Sequence, residues 1–272
     1  MDIASKLRSL RTLSIVVTAL SSILLLAGIA QIAIGSASVS DHYEMVEEQT
    51  RQLREVRPWY TPSPQVQAYN ESGMAFVDNQ IFLVTLGENS LFSSNFVMAT
   101  LAVPVLSIAF FIAALVWIYR AHSNLTEHGL NMKNGPGKAV ANFLIPGANF
   151  VLPIEAMREL WNRSHGEDED MAFISVDEVT AWWSAQIIGL LLLLAITVKW
   201  AIGKSTSMII YTGAWMEFVV VSFALVLLLG STVLFAGMAR RITAAQAENL
   251  EHMEPDAVDD DRPRGVTIST GA

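Results

Sequence analysis

The chain of 272 residues has no cysteine, little charge and few histidines. Without cysteine there is no disulfide framework, no thiolate metal site and no cysteine nucleophile. Charged residues make up 16%, against about 25% in a soluble domain. The net charge of −9 lacks the basic footprint that nucleic-acid binding requires. The five histidines, His42, His122, His128, His165 and His252, form no pair at ligand spacing, so no metal site is expected. There is no GxSxG elbow and no dinucleotide fingerprint. Gly135-Pro136-Gly137-Lys138 lacks both the first glycine and the Ser/Thr of a phosphate loop. These absences predict a non-enzymatic protein without a cofactor.

What is present is apolar sequence. Apolar residues make up 52% and gather in charge-free runs at 12–40, 89–119, 179–198 and 218–239. At 1.5 Å per residue, a helix of about 20 residues crosses a hydrocarbon core of roughly 30 Å. Four spans are predicted, at about Leu13–Ile34, Phe96–Tyr119, Trp182–Ile202 and Trp215–Met238. The first has a basic start and a small-residue end like a signal peptide. Its apolar stretch is longer than a signal peptide needs, so it is read as retained. The expected fold is all-α: an integral membrane four-helix transmembrane bundle with a proline-broken interfacial or re-entrant segment between spans two and three.

Orientation is read from Lys and Arg alone. With both termini in the cytoplasm, twelve of the 17 basic residues lie inside. Arg240 and Arg241, directly after the last span, are the firmest anchor. The chain then divides into four parts. Residues 1–37 are a cytoplasmic stub and the first span. Residues 38–95 are an outer segment, in which the first helix is expected to continue until Pro58. Residues 96–240 are the membrane core with the middle cytoplasmic segment. Residues 241–272 read as an acidic cytoplasmic tail, largely disordered from about Met253 onward, because their acids repel and show no apolar period.

The middle segment carries most of the information. Lys138 and Glu155 bracket sixteen residues without charge, interrupted by Pro146, Gly147 and Pro153. The run is too short to span and is broken as a helix. After Pro153, the residues Ile154, Met157, Leu160 and Trp161 form an apolar stripe, with Glu155, Arg158, Glu159 and Asn162 facing away. A short amphipathic helix in the interface plane is expected.

These residues also carry a resemblance. Trp117-Ile118-Tyr119-Arg120-Ala121, Asn124-Leu125, the block Phe143–Phe150 through Pro153, Met157–Trp161 and Trp182-Trp183 resemble a bacterial membrane family catalogued as domain of unknown function 4328. The likeness covers about residues 95–240. It implies a four-helix membrane domain in a bacterial cytoplasmic membrane and implies no activity.

Two sets of candidate residues follow. Arg120 and Asn124 share one side of a helix and could gather with Asn149 and with Glu155 or Glu159 into a polar cluster. Alternatively, Arg120 simply snorkels to the interface. Glu217 is the candidate intramembrane acid, within reach of Lys199 or Lys204. The leading expectation is a structural or regulatory subunit that acts through interactions with a protein partner or a second copy, besides the lipid bilayer. A transporter or channel built on the Pro146–Pro153 break is the alternative, and a sensor using residues 38–95 is a third.

Overall fold

The computed structural model describes residues 3–78, 95–205, 211–250 and 252. Seven helices with both ends described organise them: α1 (Ile3–Val56), α2 (Pro64–Asn70), α3 (Asn95–Glu127), α4 (Pro136–Leu144), α5 (Leu152–Ser164), α6 (Asp177–Ser205) and α7 (Ala214–Asn249). Residues 73–78 are helical as well. Among the described residues there is no strand, only an isolated bridge between Ser72 and Gly213. Four helices, α1, α3, α6 and α7, are long and apolar enough to cross a membrane.

Each boundary has a local cause. α1 continues far past its apolar stretch and stops at Val56, because Pro58 disfavours a helical residue before it. α2 opens with Ser63 as its cap: the side chain accepts from the Val66 N–H at 3.3 Å, and Pro64 takes the first helical position. α5 likewise has Pro153 in its first turn, where no N–H is needed.

The spanning helices form a row in which α3 packs on α1, α1 on α7 and α7 on α6. Small residues permit the close crossings. A β-carbon at Gly28 would lie 2.3 Å from the Leu229 side chain. One at Gly189 would lie 3.0 Å from the Ala224 carbonyl oxygen, so α6 and α7 meet nearly backbone to backbone. Phe235 of α7 is the aromatic centre. Its ring lies 5.9 Å from Phe110, 5.6 Å from Trp117 and 5.6 Å from Trp182, at the spacing expected for edge and tilted pairs.

The two ends of the row differ. At one, here the terminal end, the start of α1 meets the end of α3 through an ion pair between Lys6 and Glu127. The end of α7 lies there too. The far end is capped by the chain after α1. His42 Nε2 lies 2.9 Å from the Asn70 carbonyl, and the Tyr43 hydroxyl donates to the Glu71 carbonyl at 3.1 Å. Val39, Phe76 and Ala214 make a second small core beneath them.

Two expectations change. The last helix does not give way to a tail at residue 241. It continues to Asn249, and Ile242, Ala245, Gln246 and Leu250 are buried; the disorder expected from about Met253 lies outside the described residues. The acids are spaced so that these four residues still share one helical face. Nor does α5 lie in the interface plane. It begins beside Trp183 and ends beside Gln246. These residues lie five positions on opposite sides of the Glu178–Arg241 ion pair, a separation of about 15 Å along the bundle. A helix of 13 residues, about 20 Å long, therefore runs along the bundle at a tilt of roughly 40°. Its expected outward face is covered as well: Glu159 and Asn162 are both buried.

Candidate functional site

The terminal end holds a connected set of buried polar side chains, built around α5. Gln246 of α7 is the hub. Its Nε2 donates to the Ala121 carbonyl at 3.1 Å and to Ser164 Oγ at 3.0 Å. Its Oε1 accepts from Asn124 Nδ2 at 3.3 Å. One side chain thus joins α3, α5 and α7, and every polar atom of its amide is used. One turn nearer the membrane, Trp117 Nε1 donates to Thr243 Oγ1 at 3.2 Å, and Thr243 donates to the Ala239 carbonyl at 2.6 Å. One turn further out, Asn249 Nδ2 donates to the Ser164 carbonyl at 3.3 Å.

The other face of α5 gathers two loops. Glu159 accepts the Lys133 N–H at 2.5 Å, the Asn134 N–H at 2.9 Å and Asn134 Nδ2 at 2.7 Å. Asn134 is in turn bonded to Asn142 of α4 at 3.3 Å. Three N–H donors satisfy the carboxylate inside the protein, so its burial leaves no acceptor unmet. Asn162 Nδ2 serves the following loop, donating to the Ala172 and Ile174 carbonyls at 3.0 Å each.

The predicted cluster therefore does not assemble as one group. Asn124 is in the hub and Glu159 holds the loop before α4. Glu155 reaches only the Lys133 ammonium, at 3.9 Å and largely exposed. Asn149 sits in the turn between α4 and α5, and its Oδ1 has no hydrogen-bond partner among the described residues. Arg120 meets neither glutamate. It is half-buried at the rim of α3, within electrostatic reach of Glu127. Four residues turn a helix by about 400°, so Arg120 is offset by about 40° from Asn124. That offset carries it out of the buried face. Gln246, Ser164 and Asn134 were missed. The spacing of Ile242, Ala245 and Leu250 around Gln246 is a signal that could have found the first.

At the far end, Glu217 lies in the first turn of α7 and pairs with Lys199 of α6, with Thr212 bonded to both. The reach to Lys199 is met. Lys204 instead pairs with Asp78, at 2.6 and 2.8 Å. Tyr69 donates to the same carboxylate at 3.2 Å. Burial and the charge of Asp78 push the Tyr69 phenol above its usual range. A cleft of about 620 Å³ opens nearby between α1 and α2, with Arg51, Arg54, Glu47 and Glu71 in its wall. Among the described residues no three His, Asp or Glu side chains lie close enough to hold a metal ion.

A row of membrane-crossing helices with a polar hub at one end defines a helical integral membrane protein. Residues 88–244, more than half of the chain, match the family described as a domain of unknown function, DUF4328, and the chain belongs to that family. No curated protein and no solved structure matches it.

Proposed function

We propose that this chain is a non-enzymatic protein of the bacterial cytoplasmic membrane, with both termini in the cytoplasm. It serves as a structural or regulatory subunit and acts by holding a partner. The observation that supports this reading is the closure of the terminal end. Of the polar groups that a permeation site would need, all but one are bonded within the chain or turned from the break, the exception being Asn149, whose Oδ1 is buried without a hydrogen-bond partner among the described residues. Gln246 uses its whole amide on α3 and α5, Asn142 is held by Asn134, and Arg120 is turned away. An interrupted helix that serves transport instead leaves its polar ends facing a cavity.

The same end offers a charged surface. The turn after α5 exposes Glu167, Asp168, Glu169 and Asp170 in succession. A basic face on a cytoplasmic protein complements it.

The experiment pairs two measurements. In proteoliposomes the protein is expected to pass no ion or small solute above protein-free vesicles. In cells, a photo-crosslinker at Asp168 is expected to trap one defined partner. Reversing the neighbouring charges, Glu167→Lys with Asp170→Lys, should abolish that product. A saturable flux that Asn149→Ala removes would overturn the reading in favour of transport.

A further inference from the structure

The turn between α4 and α5 is apolar and covered by none of the described residues. Leu144, Ile145, Phe150 and Val151 are 57%, 52%, 48% and 59% exposed. They fall within the sixteen residues that carry no charge. Gly147 makes the reversal with a φ of 85°, a conformation that a β-carbon disfavours.

The height of this turn along the bundle follows from its bonds. Trp183 Nε1 donates to the Phe150 carbonyl at 3.2 Å, and the Phe143 ring lies 6.3 Å from that of Trp182. Glu178, five residues earlier on α6, pairs with Arg241 at 2.6 Å. That exposed ion pair marks the edge of the charge-free stretches of α6 and α7. At 1.5 Å per residue, the turn lies about 7.5 Å inward of it. Segments that rest in a membrane interface bury to roughly 5–10 Å. Arg158 is placed lower. Its Nη2 donates to Thr180 Oγ1 at 3.2 Å, two residues along α6 from Glu178. From the water inward, the order is ion pair, guanidinium, indole and apolar turn. It parallels headgroup, interface and acyl chain.

We propose that residues 144–151 are a re-entrant wedge seated in the upper acyl chains of the leaflet at the terminal end. The occupant of the exposed surface is lipid, because the turn is continuous with the lipid-facing side of α6, where Leu190 and Leu194, on the same helical face as Trp183, are also exposed. The wedge enters one leaflet only. It therefore displaces lipid on that side without a counterpart on the other.

Depth quenching tests this directly, since the native chain has no cysteine to remove. A small fluorophore is placed on Leu144→Cys and on Val151→Cys in the full chain, reconstituted in vesicles of phosphatidylethanolamine and phosphatidylglycerol. Lys138→Cys is the water control and Ile188→Cys the deep control. Nitroxide near the top of the acyl chain should quench positions 144 and 151 several times more than aqueous iodide does. Position 188 should respond most to nitroxide near the chain methyl, and position 138 to iodide. Iodide quenching of 144 and 151 at the level of 138 would overturn the proposal by placing the turn in water. Protection from both quenchers would overturn it equally, by showing protein as the cover. If either cysteine variant fails to purify as a single species, Ile145→Cys on the same turn takes its place.

Discussion

Glu159 and Arg120 are the two charges whose fates differ most from their look in the sequence. Glu159 is 1% exposed and holds three N–H donors from residues 133 and 134. Removing the carboxylate leaves those donors buried and unmet, which costs about 1–3 kcal/mol for a single group and more for several. Glu159→Ala is therefore expected to lower stability by about 3 kcal/mol. Arg120→Ala, at the rim, should change it by less than about 1 kcal/mol. Thermal unfolding of the purified protein in detergent checks both, and the reverse order would refute this assignment. Residue types were legible here but pairings were not. Glu159 was singled out, yet two of its three partners are backbone N–H groups, and all three come from the loop after Gly129, which has a φ of 94°. No spacing rule in a sequence encodes such a partner.

For whole elements, the four spans were readable because length and the absence of charge are local properties. The extension of α1 to the neighbourhood of Pro58 was readable on other grounds, the roughly helical spacing of Tyr43, Val46, Leu53 and Val56 and the break at the proline. The direction of α5 was not. An amphipathic stripe describes a helix lying on lipid equally well as one returning along a bundle. Only the contacts of its two ends, Phe150 with Trp183 and Ser164 with Gln246, decide between them. The end of α7 was hidden by the acids among its buried positions. One consequence is testable by truncation. A chain stopped after Arg241 loses Ile242, Thr243, Gln246 and Leu250 from the core. It is expected to elute as aggregate in fluorescence-detected size exclusion. A chain stopped after His252 keeps all four, and its peak should remain symmetric. Equal behaviour of the two would mean that the hub does not hold the terminal end together.

As a whole, the molecule has its terminal end and its cap at opposite ends of four helices long and apolar enough to cross a membrane. Thr61 lies between α1 and α2, and Gly137 in the first turn of α4. With the termini in the cytoplasm, Thr61→Cys should react with an impermeant maleimide on intact cells. Gly137→Cys should react only in inverted vesicles, and the opposite pattern would reverse the orientation. The cap has a further mechanical meaning. α1 is one unbroken helix of 54 residues, about 80 Å long, and roughly 30 Å of it rises beyond its apolar stretch. Its last turns, Arg51 to Val56, are exposed on all sides. A rod of that kind sets a stand-off distance. A broad, flat surface approaching from the far side touches the tip of α1 while still roughly 30 Å from the lipid.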